Sequence, residues 1–282
     1  MKKKKSSAGQ WVISAIVVVV AIAVGVFIWR KATQAGGGKA PVAASSTAAN
    51  AGQGPAHAST AIQHPIAQAG PAPASTSPLP ALDASDTSVA DGLLALAGGD
   101  ALDGLLHRQQ IIRRVVATVD ALPRQSVGSN ILPVQTPKGA FLVEQGDGAV
   151  TLSPRNAERY APYMRVLDGT DPKALVAWYV AHYPLFQQAY RDLGYPKGYF
   201  NDRLIAAIDD MLAAPVPEAP VQLVQPKVFY RYADAGLETR SAGQKMLMRM
   251  GADNEARVKA KLRQIRDLLT GVTLPASSSS AQ

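Results

Sequence analysis

Five acids, Asp202, Asp209, Asp210, Asp234 and Glu238, are the residues of this sequence that could most readily do hydrolytic chemistry. A glycosidase needs only two carboxyl groups across a cleft, one to donate a proton and one to attack or to activate water, and such pairs carry no fixed sequence spacing. Asp202 and Asp209 are seven apart and share a helix face, so the pattern permits a cell-wall-active hydrolase using paired carboxylates. Exposed helix acids are common, and the favoured expectation is a binding or scaffolding module without catalysis. Other chemistries find less support. There is no G-x-S-x-G elbow, no H-E-x-x-H, no two-histidine spacing on one helix, and no Walker or dinucleotide glycine fingerprint. His107 and His182 are the histidines of the C-terminal part, and His182, inside AWYVAHYPLF, reads as a hydrogen-bonded core residue. With no cysteine, disulfides, thiolate nucleophiles and Cys-ligated metals are excluded. No catalytic residue, metal ligand or cofactor is assigned.

Two polar groupings remain as candidate contact sites. Arg231, Tyr232, Asp234, Glu238, Arg240, Gln244, Lys245 and Arg249 gather paired charges about a strand-to-helix junction. An ion-pair network holding the last helices to a sheet edge would use the same residues. Arg and Lys beside Tyr would also recognise an anionic or carbohydrate partner. Further on, Lys259, Arg263 and Arg266 fall at i, i+4 and i+7 and should form a basic stripe, either a solvated face or a contact for an anionic surface.

The net charge of +8 invites a nucleic-acid reading, but its location argues against one. Lys2, Lys3, Lys4, Lys5, Arg30, Lys31 and Lys39 supply seven of the 29 basic residues, whereas all 21 acids lie between Asp83 and Asp267. The part able to fold is nearly neutral, so no nucleic-acid partner is expected.

The elements that must position these side chains begin with an anchor. After a basic tail at 1–10, residues Trp11 to Trp29 run without a charge, WVISAIVVVVAIAVGVFIW, and end at Arg30-Lys31. At about 1.5 Å per residue this helix spans close to 30 Å, the thickness of a bilayer's hydrocarbon core, and tryptophan at both ends suits the interfaces. A cleaved signal peptide would use Ala21-Ile22-Ala23, yet the apolar run continues through Val24, Val26, Phe27 and Ile28, too far for that. Four lysines precede the helix, which favours an inside N-terminus and a periplasmic C-terminal domain in the inner membrane of a bacterium. The membrane is thus one expected partner, and another envelope protein or an anionic envelope polymer is the second.

From 30 to 78 the chain is built of Ala, Gly, Pro, Ser, Thr and Gln, a composition expected to stay disordered. His57 and His64 fall in it and read as solvated. Residues 79–270 carry enough Leu, Val, Ile, Tyr and Met for one packed domain, and 271–282 read as a disordered tail. The expected fold class is mainly α, with one compact helical domain, a small β-hairpin and short strands. Asp83 or Ser85 should cap a first helix ending at Leu96. Ile111, Ile112, Val115, Val116, Val119 and Leu122 recur at helical spacing and Pro123 closes that run. Phe141-Leu142-Val143 and Val150-Thr151-Leu152 read as a hairpin about Gly146-Asp147-Gly148. Ser153-Pro154 and Asp171-Pro172 each pair a capping residue with proline at the first helical position. Pro184 should kink or split the second of those helices. Asn201 should cap the next, and Gly251 should separate the last two.

The stretch LVQPKVFYRYADAGLETRSAGQKMLMRMGADNEARVKAKLRQIR, from Leu223 to Arg266, resembles a bacterial membrane-anchored family known only as domain of unknown function number three thousand and fourteen. ALDASD, IIRRVVATVDALPR, LSPRNAERYAPYMRVL and LGYPKGYFNDRLIAAIDDML are similar to the same family's pattern. The resemblance implies an N-terminal anchor, a variable linker and one domain in a Gram-negative envelope, and it implies no activity.

Overall fold

In a computed structural model, residues 61–71 and 78–271, apart from 98 and 147, are described. The expected membrane helix at 11–29, the tail before it, residues 30–60 and 72–77 of the linker and residues 272–282 lie outside that set. Among the described residues no helix is long and apolar enough to cross a membrane. The helices in chain order are α1 (Asp86–Leu96), α2 (Asp100–Asp103), α3 (Ile111–Ala121), α4 (Ala161–Asp168), α5 (Pro172–Asp192), α6 (Phe200–Leu212), α7 (Ala235–Glu238), α8 (Ala242–Arg249) and α9 (Ala252–Leu269). The strands are β1 (Val143–Gly146), β2 (Ala149–Leu152), β3 (Gln222–Val224) and β4 (Arg231–Tyr232). The domain is mainly helical with one small sheet.

The helix starts follow local chemistry where a cap is available. Asp171 accepts from Lys173 N at 3.0 Å and Ala174 N at 3.4 Å, with Pro172 at the first position, and so opens α5. Ser153 caps the 3-10 helix Pro154–Tyr160 in the same way, accepting from Arg155 N. Ser85 precedes α1 without capping it, its hydroxyl donating instead to Leu82 O. The acid at the head of α1 caps another helix. Asp86 accepts from Gln110 N at 2.7 Å and Ile111 N at 2.9 Å, which satisfies the start of α3 from 24 residues upstream in the chain.

Two expectations are corrected. α5 is a single helix through Pro184, although proline there removes the donor to the Val180 carbonyl. Tyr183, Leu185 and Phe186 are buried around it, and their packing keeps the proline from splitting the helix. Asn201 is not a cap; it lies inside α6, fully buried, because the chain turns into the helix at Tyr199, two residues earlier.

α5 is the centre of the core, flanked by α3, α6 and α9. Phe186 and Phe200 stack with centroids 5.8 Å apart, and Val115, Val119, Leu204, Ile265 and Leu269 close around them. The apolar lining leaves a cavity of about 30 Å³, room for little more than one water molecule. Each fully buried Leu, Ile or Phe contributes about 1.5–3 kcal/mol.

The hairpin forms as β1 and β2, its first strand starting at Val143 and not at Phe141, with Glu144 opposite Thr151 and Gln145 opposite Val150. The later short strands join it. β3 pairs antiparallel with β2 and β4 with β3, giving a four-stranded sheet in chain order. Leu223, Tyr232 and Met248 form its own small core with Phe141, Val143, Val150 and Tyr230.

Residues 61–71, which composition assigns to the linker, lie against the domain. Ile66–Ala69 form a 3-10 turn beside α5 and α9, so this part of the linker is a strap. His64 is accordingly half-buried.

Candidate functional site

The strand-to-helix junction at β4 brings half of the expected polar cluster together. Tyr232 is buried beneath the sheet, and its main-chain N–H donates to Glu238 Oε2 at 3.1 Å. Lys245 Nζ reaches the Glu238 carbonyl at 3.0 Å and lies 4.0 Å from its carboxylate. The Arg249 guanidinium sits over Tyr232 at 5.5 Å and over Phe141 at 6.0 Å from the ring centroids, a cation–π bracket between helix and sheet. Burial pushes the Tyr232 hydroxyl up to about 12. It also lowers Lys245, with Glu238 opposing and Arg249 and Arg231 assisting.

The other members point elsewhere. Asp234 caps α7 by accepting from Leu237 N at 3.0 Å. Gln244 is buried on the opposite side of α8, where its amide donates to Asp210 Oδ1 at 3.0 Å and to the Asp210 carbonyl at 2.9 Å. Arg240 and Arg231 are exposed. The basic stripe of α9 does not exist as a surface. Lys259 is buried, 2.6 Å from Glu255 Oε1 and 2.5 Å from the Ala214 carbonyl, because it lies next to the inward row of Val258, Leu262 and Ile265. Arg266 pairs with Asp209 at 2.5 Å, and Arg263 alone of the three is exposed without such a pairing among the described residues.

The acids considered for hydrolysis are all engaged. Asp202 binds the strap main chain, Asp209 binds Arg266, and Asp210 accepts from Ser241 at 2.6 Å as well as from Gln244. Among the described residues no group of three His, Cys, Asp or Glu side chains could hold a metal ion. His182 lies stacked on Trp178 at 4.0 Å with Nδ1 2.8 Å from the Trp178 carbonyl, and burial lowers its pKa.

One polar centre was missed. Asp120, 7 % exposed at the end of α3, accepts from Arg203 Nε at 3.0 Å, from Arg124 and from Tyr195 Oη at 3.3 Å. The Arg203 guanidinium also reaches the Asp120 carbonyl. A lone acid inside the apolar run Val119-Asp120-Ala121-Leu122, with Arg124 four residues on, was the signal available. Three of the stretches that resemble the family meet close to this centre: the one holding Asp120 and Arg124, the one holding Tyr195, Arg203 and Asp210, and the one holding Ser241 and Gln244.

The hairpin linking β3 to β4 leads into the Tyr232 cluster and carries exposed side chains. Val224 and Arg231 are register partners, and Val224 and Val228 are 47 % and 49 % exposed. Lys227 is exposed between them, and no acid occurs from 219 to 233.

A family model described as protein of unknown function (DUF3014) matches residues 111–266. No curated protein and no solved structure matches the chain. The match takes in the Asp120 centre, the sheet, the hairpin and the final helices, while the ALDASD stretch lies ahead of it. With more than half of its length matched, the chain belongs to this family, DUF3014.

Proposed function

We propose that this protein is held in the inner membrane of a bacterial envelope by the 11–29 helix, with its helical domain in the periplasm, and that the domain binds an anionic envelope polymer instead of catalysing a reaction. The observation that carries the reading is the hairpin at 222–232. It presents half-exposed Val224 and Val228 with Lys227 and Arg231 and no acid within it, on a base stiffened by the Arg249 bracket. Apolar side chains interleaved with cations suit a polymer bearing carboxylates or phosphates on an apolar frame. The engagement of Asp202, Asp209, Asp210, Asp234 and Glu238 in the fold supports binding over hydrolysis, since a general acid or base must be free to reach a substrate.

The test is co-sedimentation of the full chain with purified sacculi, alongside a turnover assay on the same sacculi. Salt-sensitive binding without glycan release is expected. Glycan cleavage that disappears in Asp202→Asn or Glu238→Gln would replace this reading by a hydrolase. A reporter fused after Gln282 should be active only outside the cytoplasm.

A further inference from the structure

The strap is held in a way that describes what else could occupy its place. Asp202, in the first turn of α6, accepts from two successive main-chain N–H groups, Gln63 at 3.1 Å and His64 at 2.7 Å. Asn201 Nδ2 donates to the His64 carbonyl at 2.9 Å, and Tyr199 Oη accepts from Ile66 N at 2.7 Å. Every one of these bonds goes to the strap's backbone. Among the described residues no strap side chain adds a hydrogen bond, and none is fully buried. Side-chain recognition comes from Pro65, which sets an extended φ of −57° and ψ of 133°, and from Ile66 and Ala69, which pack partly against the core. Ile66, Ala67, Gly70 and Pro71 then border an open cleft whose other wall is Val180, Tyr183 and Pro184.

The groove side is built in advance. Asn201 is 0 % exposed, and its Oδ1 is fixed by Tyr179 Oη at 3.3 Å, which aims the Nδ2 donor at the strap. Tyr199 is held by ring contact with Tyr183, centroids 5.5 Å apart. If the strap leaves, a buried amide donor faces the groove without a partner, and an extended backbone is the ligand that restores its acceptor together with the two donors Asp202 requires.

We propose that Tyr199, Asn201 and Asp202 form a main-chain-reading peptide groove that the chain's own residues 62–71 fill in cis. The partner that displaces them is an extended segment of another protein in which a proline is followed by a branched aliphatic residue. The strap lies between the expected anchor and the domain, so its displacement lengthens the tether by the residues of the strap. Partner binding is thereby coupled to the reach of the domain from the membrane. The coupling is reciprocal: whatever weakens the strap strengthens the partner by the same factor.

The experiment uses the full chain in detergent and, as probe, a labelled peptide of the strap sequence AIQHPIAQAG followed by fluorescence anisotropy. Ile66→Asp unseats the strap and leaves the groove residues intact. The peptide should bind this variant at least about tenfold more tightly than the wild type, whose groove is already filled. The same peptide N-methylated at its histidine keeps every side chain but loses one donor to Asp202, and it should not bind. Hydrogen exchange on the wild type should find the His64 and Ile66 amides protected. No binding to the Ile66→Asp chain, equal binding of the methylated peptide, or unprotected amides would each overturn the proposal. None of these readouts depends on a groove variant folding.

Discussion

Gly243 N donates to the Leu122 carbonyl at 2.9 Å, and Ala242 N donates to the Arg124 carbonyl at 2.7 Å, so the start of α8 is seated on the end of α3. The unpaired donors at the start of one helix are answered by carbonyls at and just past the end of another, 118 and 121 residues away in sequence (242 − 124 and 243 − 122), with Ser241 capping Gln244 N at 3.1 Å. The approach is possible because residue 243 lacks a side chain. A Cβ there would stand 2.9 Å from Met211 Cγ and 3.4 Å from the Leu122 carbonyl. Gly243→Val should therefore cost about 1–3 kcal/mol through overpacking, read as a lowered urea midpoint. An unchanged midpoint would mean that the two helix ends do not meet this closely.

The Asp120 centre predicts an order of sensitivities. Asp120 is nearly buried and serves Arg203, Arg124 and Tyr195 at once, whereas the Arg124 side chain is 52 % exposed. Asp120→Ala should cost about 2–4 kcal/mol, because the Arg203 donors lose their acceptor in a partly dry site. Arg124→Ala should cost less than about 1 kcal/mol, as expected for a solvent-screened partner. Equal losses in the two variants, measured by thermal or chemical unfolding, would contradict this division.

Glu255 and Lys259 make a buried ion pair whose acid is 1 % exposed and whose Oε2 has no hydrogen-bond partner among the described residues. Burial raises the Glu255 pKa, and Lys259 only partly opposes it. The folded state thus holds this proton more tightly than the unfolded chain. Its stabilising effect is present below the ordinary carboxylate range, near 4.3, and is lost as pH rises through the raised value. Stability measured against pH should fall across that window more steeply in the wild type than in Glu255→Gln. Lys259→Met alone should cost about 3–5 kcal/mol at neutral pH, and Glu255→Leu combined with it should recover most of the loss.

Sequence and structure agree where the information is local. Asp171-Pro172 announces α5, the spacing from Ile111 to Leu122 announces α3, and Gly251, at φ 85°, separates α8 from α9 as a residue without Cβ can. The misreadings at Lys259, Asn201 and the strap each involve a partner distant in sequence. Lys259 has the spacing of a surface stripe, but Glu255 and the Ala214 carbonyl draw it inward. Asn201 has the composition of a cap, but it is used to read the strap backbone. The strap itself is invisible to composition, because its attachment is through main-chain groups that every sequence possesses, and the acceptors lie 133–139 residues away. Of the candidate cluster, Tyr232, Glu238, Lys245 and Arg249 lie together, and three of them sit on two short elements joined by a tight turn. Asp120 was hidden by the strength of the apolar run around it.

The most direct measurement is the fraction of full-length chain that co-sediments with purified sacculi at low salt, wild type against Lys227→Glu/Val228→Asp. Both residues are exposed on the hairpin and outside the packed core, so folding should be unaffected. With about 1 kcal/mol at stake for each basic residue near an anionic surface, the double variant should bind at least about tenfold more weakly, and added salt should bring the wild type down to its level. Equal sedimentation of the two proteins, or no sedimentation of either, would contradict the assignment of this hairpin as the contact for an anionic envelope polymer.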